Sequence, residues 1–118
     1  MGEIKLHARI KVWITDDKGK TIFGSGRMRL LDAIHRQGSI LKAAEELSMS
    51  YRSAWGRIRA TEERLGEAVV EKIPGAGRRG GSRLTSRGKE LLDKFHHLVD
   101  ALDSASSKSF DAIFLEDE

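Results

Sequence analysis

Residues Gly38 to Gly66 read GSILKAAEELSMSYRSAWGRIRATEERLG, and a glycine- and arginine-rich loop, Gly75 to Arg83 (GAGRRGGSR), follows shortly before Leu84 and Thr85. Ser39 stands where a helix needs an N-cap, a side-chain oxygen that accepts an orphan N–H of the first turn. Behind it Ile40, Ala43, Ala44 and Leu47 fall on one helical face. After Ser48 and Met49, Ser50 caps a second helix in which Ala54, Ile58, Thr61 and Leu65 recur at helical spacing, with Trp55 beside them. Gly66 stops that helix, since glycine takes the left-handed conformation of a C-cap without steric cost.

Upstream of this stretch, Ile4, Leu6, Ala8, Ile10, Val12 and Ile14 occupy every second position, with Lys5, His7, Arg9 and Lys11 between them. The alternation predicts a half-buried strand. Asp16, Asp17, Lys18 and Gly19 supply a turn, and Thr21-Ile22-Phe23 a short return strand ending at Gly24, so a hairpin is expected. Ser25 is read as the cap of a helix with Met28, Leu31, Ile34 and His35 on one face, Leu30 flanking, and Gly38 at its end. Downstream, Ala68 to Ile73 reads as a strand and Arg83-Leu84 as its return across the loop. Thr85 then caps a long helix running at least to about Ser104.

Hairpin, three helices, a basic loop between two strands and a long last helix make a mainly α domain with a little β, a winged helix-turn-helix. Residues 1–118 are read as one such domain: the hairpin at 1–24, three helices at 25–66, the wing at 67–84, and a dimerisation helix with its tail at 85–113. On the last helix Leu91, Phe95, Leu98 and Leu102 form a stripe flanked by Leu92 and Val99, more apolar width than one small domain covers. These six residues are the expected seam of a homodimer.

Charge points to the partner. The net charge is only +3, but between Ser50 and Glu90 basic residues outnumber acids two to one, while from Asp100 onward the chain is acidic. A basic centre beside an acidic tail suits a polyanion met by one face; the bland reading is a set of solvated helix faces. There is no cysteine, which excludes disulfides, thiolate metal sites and cysteine nucleophiles. No apolar run is long enough to span a bilayer, and the start lacks the pattern of a secretory signal, so a cytoplasmic address is expected.

The segment from Gly38 to Gly66, with its paired alanines at 43 and 44 and its Leu65-Gly66 ending, resembles the DNA-binding half of LysR-type regulators. Ser50-Tyr51-Arg52-Ser53-Ala54-Trp55, together with the glycine-rich wing, is similar to the amino-terminal domain of the molybdate-responsive ModE regulators. The resemblance covers roughly Phe23 to Leu102. It implies a prokaryotic, homodimeric transcription factor whose recognition helix, residues 50–65, enters the major groove of double-stranded DNA. ModE regulators carry oxyanion-binding modules after this half, which the 118 residues in hand lack. The expectation is therefore that molybdate or tungstate does not act on this chain directly, and that any such response comes through a separate effector-sensing protein.

If Ala54, Ile58, Thr61 and Leu65 face the core, then Arg52, Ser53, Gly56, Arg57 and Ala60 face outward. Arg52 lies in the first turn, where its planar fork matches the O6 and N7 acceptors of guanine. Ser53 suits a base or a phosphate. Gly56 costs a helix roughly 1 kcal/mol relative to alanine, which suggests close approach of DNA, although an unselected glycine would look the same. Tyr51 and Trp55 are read as core or near-core residues rather than stacking platforms, with the Tyr51 hydroxyl able to reach a phosphate. Arg78, Arg79 and Arg83 complete the expected DNA surface of Ser50, Tyr51, Arg52, Ser53, Gly56 and Arg57.

Other chemistry is weakly signalled. Gly75, Gly77 and Gly80 spell GxGxxG, but no helix opens directly after them as a dinucleotide site requires. His96 and His97 are neighbours on a helix and point about 100° apart, so they do not chelate one metal. No nucleophile and base come together, and neither an enzyme nor a cofactor is expected. The remaining alternatives are a winged-helix module that binds protein and a general nucleic-acid or nucleoid binder.

Overall fold

In a computed structural model, which describes residues 4–75 and 80–115, the elements run β1 (Trp13–Thr15), β2 (Thr21–Gly24), α1 (Ser25–Gln37), α2 (Ile40–Glu46), α3 (Tyr51–Leu65), β3 (Val70–Lys72), β4 (Ser82–Leu84) and α4 (Ser86–Phe114). Two antiparallel hairpins, β1 with β2 and β3 with β4, flank the helices. The winged helix-turn-helix architecture is as read from the sequence.

The first hairpin turns because Asp16 Oδ1 accepts the backbone N–H of Lys18 and of Lys20, both at 2.9 Å, while Gly19 takes φ +82°. Its ladder is shorter than the alternation predicts. Trp13 pairs with Gly24 and Ile14 with Phe23, so Val12 would have to pair with Ser25, already the first residue of α1. A strand needs a partner's hydrogen bonds as well as an apolar face, and residues 4–12 form no strand here. Ile4 is 85% and Leu6 60% exposed. The half-buried strand expected over Ile4–Ile14 is thus confined to its last residues.

The strand running straight into the helix also corrects the reading of Ser25. The cap position belongs to Gly24, which makes no side-chain hydrogen bond, and a Cβ there would approach Trp13 Cβ to 3.2 Å. Along α1 the core residues are Leu30, Leu31, Ala33 and Ile34. Leu30 is therefore central rather than flanking, and His35 is exposed.

The helix punctuation around the central stretch agrees with expectation. Ser39 Oγ accepts Lys42 N at 3.2 Å and Ser50 Oγ accepts Ser53 N at 3.0 Å. Gly38 and Gly66 adopt left-handed conformations at φ +68° and +78°. Ala43 and Ala44 are fully buried, and their small side chains let α2 lie close to its neighbours. The link into α3 holds Ser48 at φ +55°, with Met49 N bonded to Ala44 O at 3.0 Å.

Phe23 and Phe95 meet edge to face at 4.9 Å, joining the hairpin to α4 through the core. Thr61 donates its hydroxyl to Ile22 O at 3.1 Å, which satisfies the one buried polar side chain among the described residues. Thr85 caps α4 by accepting Gly88 N at 3.0 Å, and its own hydroxyl donates to Ala68 O at 2.7 Å. Gly88 is required here by space: a Cβ would lie 2.2 Å from Val69 O. α4 continues for 29 residues, about 43 Å at the α-helical rise. Its buried residues are Gly88, Leu92 and Phe95, all near its start, and the helix then leaves the core.

Candidate nucleic-acid interface

α3 divides cleanly into two faces. Ala54, Ile58 and Thr61 are buried, while Arg52, Gly56 and Arg57 are exposed and Ser53 is half-buried. The cap residue Ser50 is exposed at the start of the same helix. A Cβ added at Gly56 would meet nothing within 4 Å, so nothing in the chain's own packing demands glycine at this position. Ala60 is half-buried at the edge of this face.

The aromatic pair occupies the rim. Trp55 packs against the core cluster, as read from the sequence, but Tyr51 is 49% exposed, which corrects its near-core reading. Their rings meet edge to face at 6.3 Å, and the Arg59 guanidinium stands 5.7 Å from the Trp55 ring centroid. This cation–π contact escaped the sequence reading, although the i, i+4 spacing of Trp55 and Arg59 was its available signal.

In the wing, Arg83 lies opposite Glu71 in the β3–β4 ladder, and its Nε is 3.2 Å from Glu71 Oε1. It is exposed but paired. Arg78 and Arg79 lie outside the described residues. Beneath the helix-turn-helix, Arg36 holds Glu46 with two hydrogen bonds of 3.0 and 2.6 Å and Asp32 with another of 3.0 Å. Hydrogen bonds from Arg36 and then Gln37 hold the pKa of the Glu46 carboxyl down at about 2. This clamp fixes the end of α1 to α2, the scaffold on which α3 is presented.

The expected dimer seam is split by the structure. Leu92 and Phe95 are buried in the core of their own chain and are not free surface. Leu91 and Val99 are half-buried against that core. Leu98 and Leu102 are each 38% exposed. The larger unpartnered apolar surface lies further along, at Ile113 and Phe114, 69% and 63% exposed, with Phe110 stacked on Phe114 at 4.7 Å. The signal was present as apolar residues at i, i+3 and i+4 after Ser109, outside the six residues read as the seam.

Among the described residues there is no cluster of three or more potential metal ligands and no helix long and apolar enough to cross a membrane.

Residues 26–89 match the family described as bacterial regulatory helix-turn-helix protein, lysR family. The chain belongs to that family. It is also similar to ModE and Mop proteins. It is 38% identical over 82 residues to the molybdenum-pterin-binding protein MopA of Rhodobacter capsulatus, a match covering 70% of this chain and 31% of MopA. It is 33% identical over 91 residues to the DNA-binding transcriptional dual regulator ModE of Escherichia coli K12, covering 77% of this chain and 33% of that protein. The matched region thus spans about a third of the length of these relatives. Among solved structures, the CbnR DNA-binding domain in its DNA complex shares the fold with a TM-score of 0.57 at 21% identity, over 74% of this chain and 94% of that one. ArgP from Mycobacterium tuberculosis gives a TM-score of 0.52 at 26% identity, over 74% of this chain and 31% of that one.

Proposed function

We propose that the chain is a sequence-specific, double-stranded-DNA-binding transcriptional regulator that inserts α3 into the major groove. The observation that carries this is the outward face of α3, where Arg52, Gly56 and Arg57 are exposed and Ser53 is half-buried on a helix whose first turn is pinned by Ser50. An arginine fork in the first turn suits guanine, and the open surface at Gly56 suits close approach of the duplex. Tyr51 and Ser50 border the same face and suit phosphate oxygens. Arg83 extends it along the wing, exchanging Glu71 for a phosphate on binding, and Arg78 and Arg79, close to it in sequence, add further phosphate contacts in this reading. ModE of Escherichia coli is described as a DNA-binding regulator and the CbnR domain was solved on DNA, which supports the reading.

The regulator works as a homodimer, in this reading, through α4 from Leu98 and Leu102 outward to Phe110 and Phe114, a surface that two copies cover in a self-complementary way. Leu91 and Val99 lie at the inner edge of that surface. The protein acts in the cytoplasm without a cofactor or catalytic role, and any molybdate or tungstate signal reaches it through a separate partner. Selection from a randomised duplex library tests the reading: near-palindromic sites with half-sites one helical turn or a multiple apart are expected. Failure to enrich any motif, with affinity insensitive to salt, would favour a protein-interaction module instead.

A further inference from the structure

A cavity of about 470 Å³ opens between the first hairpin and the start of α1, and its charged lining is Lys11, Arg27, Arg29 and Arg57, with no carboxylate among the lining residues. A second cavity, about 310 Å³, shares Gly26, Arg29 and Arg57 with the first and continues to Leu47 and Met49, just before α3. Together they trace a basic groove from the hairpin past the α1 N-terminus to the base of the recognition helix.

Three observations set this groove apart from the rest of the surface. First, α1 begins without a side-chain cap and without an acid in its first turn, so orphan N–H groups and the positive end of the helix dipole face the cavity uncompensated. Second, the Arg57 guanidinium reaches back against that helix start, with Nη1 3.6 Å from where a Gly26 Cβ would be. Third, Arg27 Nε is buried with no hydrogen-bond partner, and burial, then Arg64 and Arg57, destabilise its charge. Arg36 and Arg83, by contrast, have carboxylate partners in Glu46 and Glu71. An uncompensated group of guanidiniums around an uncapped helix start is a site arranged for an oxyanion.

We propose that this groove holds a phosphate of the DNA backbone bordering the major groove entered by α3, bound by Lys11, Arg27 and Arg29 together with the α1 N-terminus and Arg57. Arg57 belongs both to the groove and to the exposed face of α3, so a strand bordering that face passes the groove mouth. Lys11, just before β1, and Trp13 within it supply one wall and lie outside the matched family segment, residues 26–89. The hairpin thereby gains a role in binding, one that rests on the DNA-binding reading above.

The test compares wild type with the Lys11→Gln/Arg29→Gln double variant, two exposed side chains whose replacement spares the core, in titrations of a random-sequence duplex at several salt concentrations. Removing one phosphate interaction flattens the slope of log affinity against log salt by about 0.9, roughly tenfold in affinity at about 0.1 M salt. A flatter slope for the variant, with an unchanged melting temperature, is the expected result. A steep wild-type slope on which the variant superimposes overturns the groove alone, whereas a flat wild-type slope overturns DNA binding itself. In a parallel NMR titration with inorganic phosphate, weak shifts at residues 24–29 that the duplex abolishes support a backbone-phosphate site. Tight phosphate binding that persists in the presence of duplex would instead make it a free-oxyanion site and contradict the proposal.

Discussion

Helices α3 and α4 begin with the same design and end with opposite surfaces. Each starts at a hydroxyl cap, Ser50 or Thr85, and each places an apolar stripe in the common core. What remains outside differs. α3 presents arginines and an open glycine, whereas α4, once past Phe95, presents Leu98, Leu102, Ile113 and Phe114. Amphipathic periodicity tells which residues can be buried, while what the core leaves over is basic on the one helix and apolar on the other, the basis for proposing a polyanion as the partner of α3 and a second copy as that of α4.

Gly88 faces Val69 O, a backbone atom with little room to retreat. Gly88→Ala should cost toward the upper end of the roughly 1–3 kcal/mol typical of overpacking, lowering the melting temperature of the whole domain. A variant as stable as wild type would mean that α4 docks without this close approach.

The second effect separates the outer part of α4 from its root. Because Phe110 and Phe114 stack on each other outside the core, Phe110→Ser/Phe114→Ser should leave monomer stability unchanged yet weaken self-association by more than about tenfold, or 1.4 kcal/mol. Sedimentation at graded concentrations reads this directly, and an unaltered dimer would return the seam to Leu98 and Leu102.

A smaller effect sharpens the contrast on α3. Gly56→Ala meets no clash within the chain and should stabilise the helix by about 1 kcal/mol, while DNA affinity falls if the duplex approaches closely. Equal affinity for a selected site would make Gly56 incidental.

The smallest effect concerns the clamp between α1 and α2. The Glu46 carboxyl has its pKa held at about 2, below the ordinary 4.5, so its contribution to stability is complete above pH 4.5 and disappears as pH falls through the folded value. Glu46→Gln should therefore melt lower than wild type at neutral pH, with the gap closing toward pH 2. The pair is exposed and its effect modest. A constant gap across that range would show that the Arg36 interaction does not set the titration.

Local chemistry was legible in the sequence. Ser39, Ser50 and Thr85 cap as read, and Gly38 and Gly66 terminate as read, because each device acts within a few residues of itself. Tertiary arrangements were not. The alternation over Ile4–Ile14 promised a strand, but the turn into α1 removed its partner. Ser25 has cap chemistry, yet the ladder carries Gly24 into the cap position. Leu92 and Phe95 looked like spare apolar width until Phe23 crossed the core to meet Phe95. The outward face of α3 could be derived from period alone, whereas the groove of Lys11, Arg27, Arg29 and Arg57 joins segments far apart in the chain, a juxtaposition that no local pattern encodes.

Arg52 is the most direct probe of whether the exposed face of α3 reads base sequence. A randomised-site selection run in parallel with wild type and Arg52→Ala should show preference relaxed at one base pair per half-site, with affinity for the wild-type site reduced by about 1–3 kcal/mol. Identical preferences in the two selections would remove α3 from the role of sequence reader.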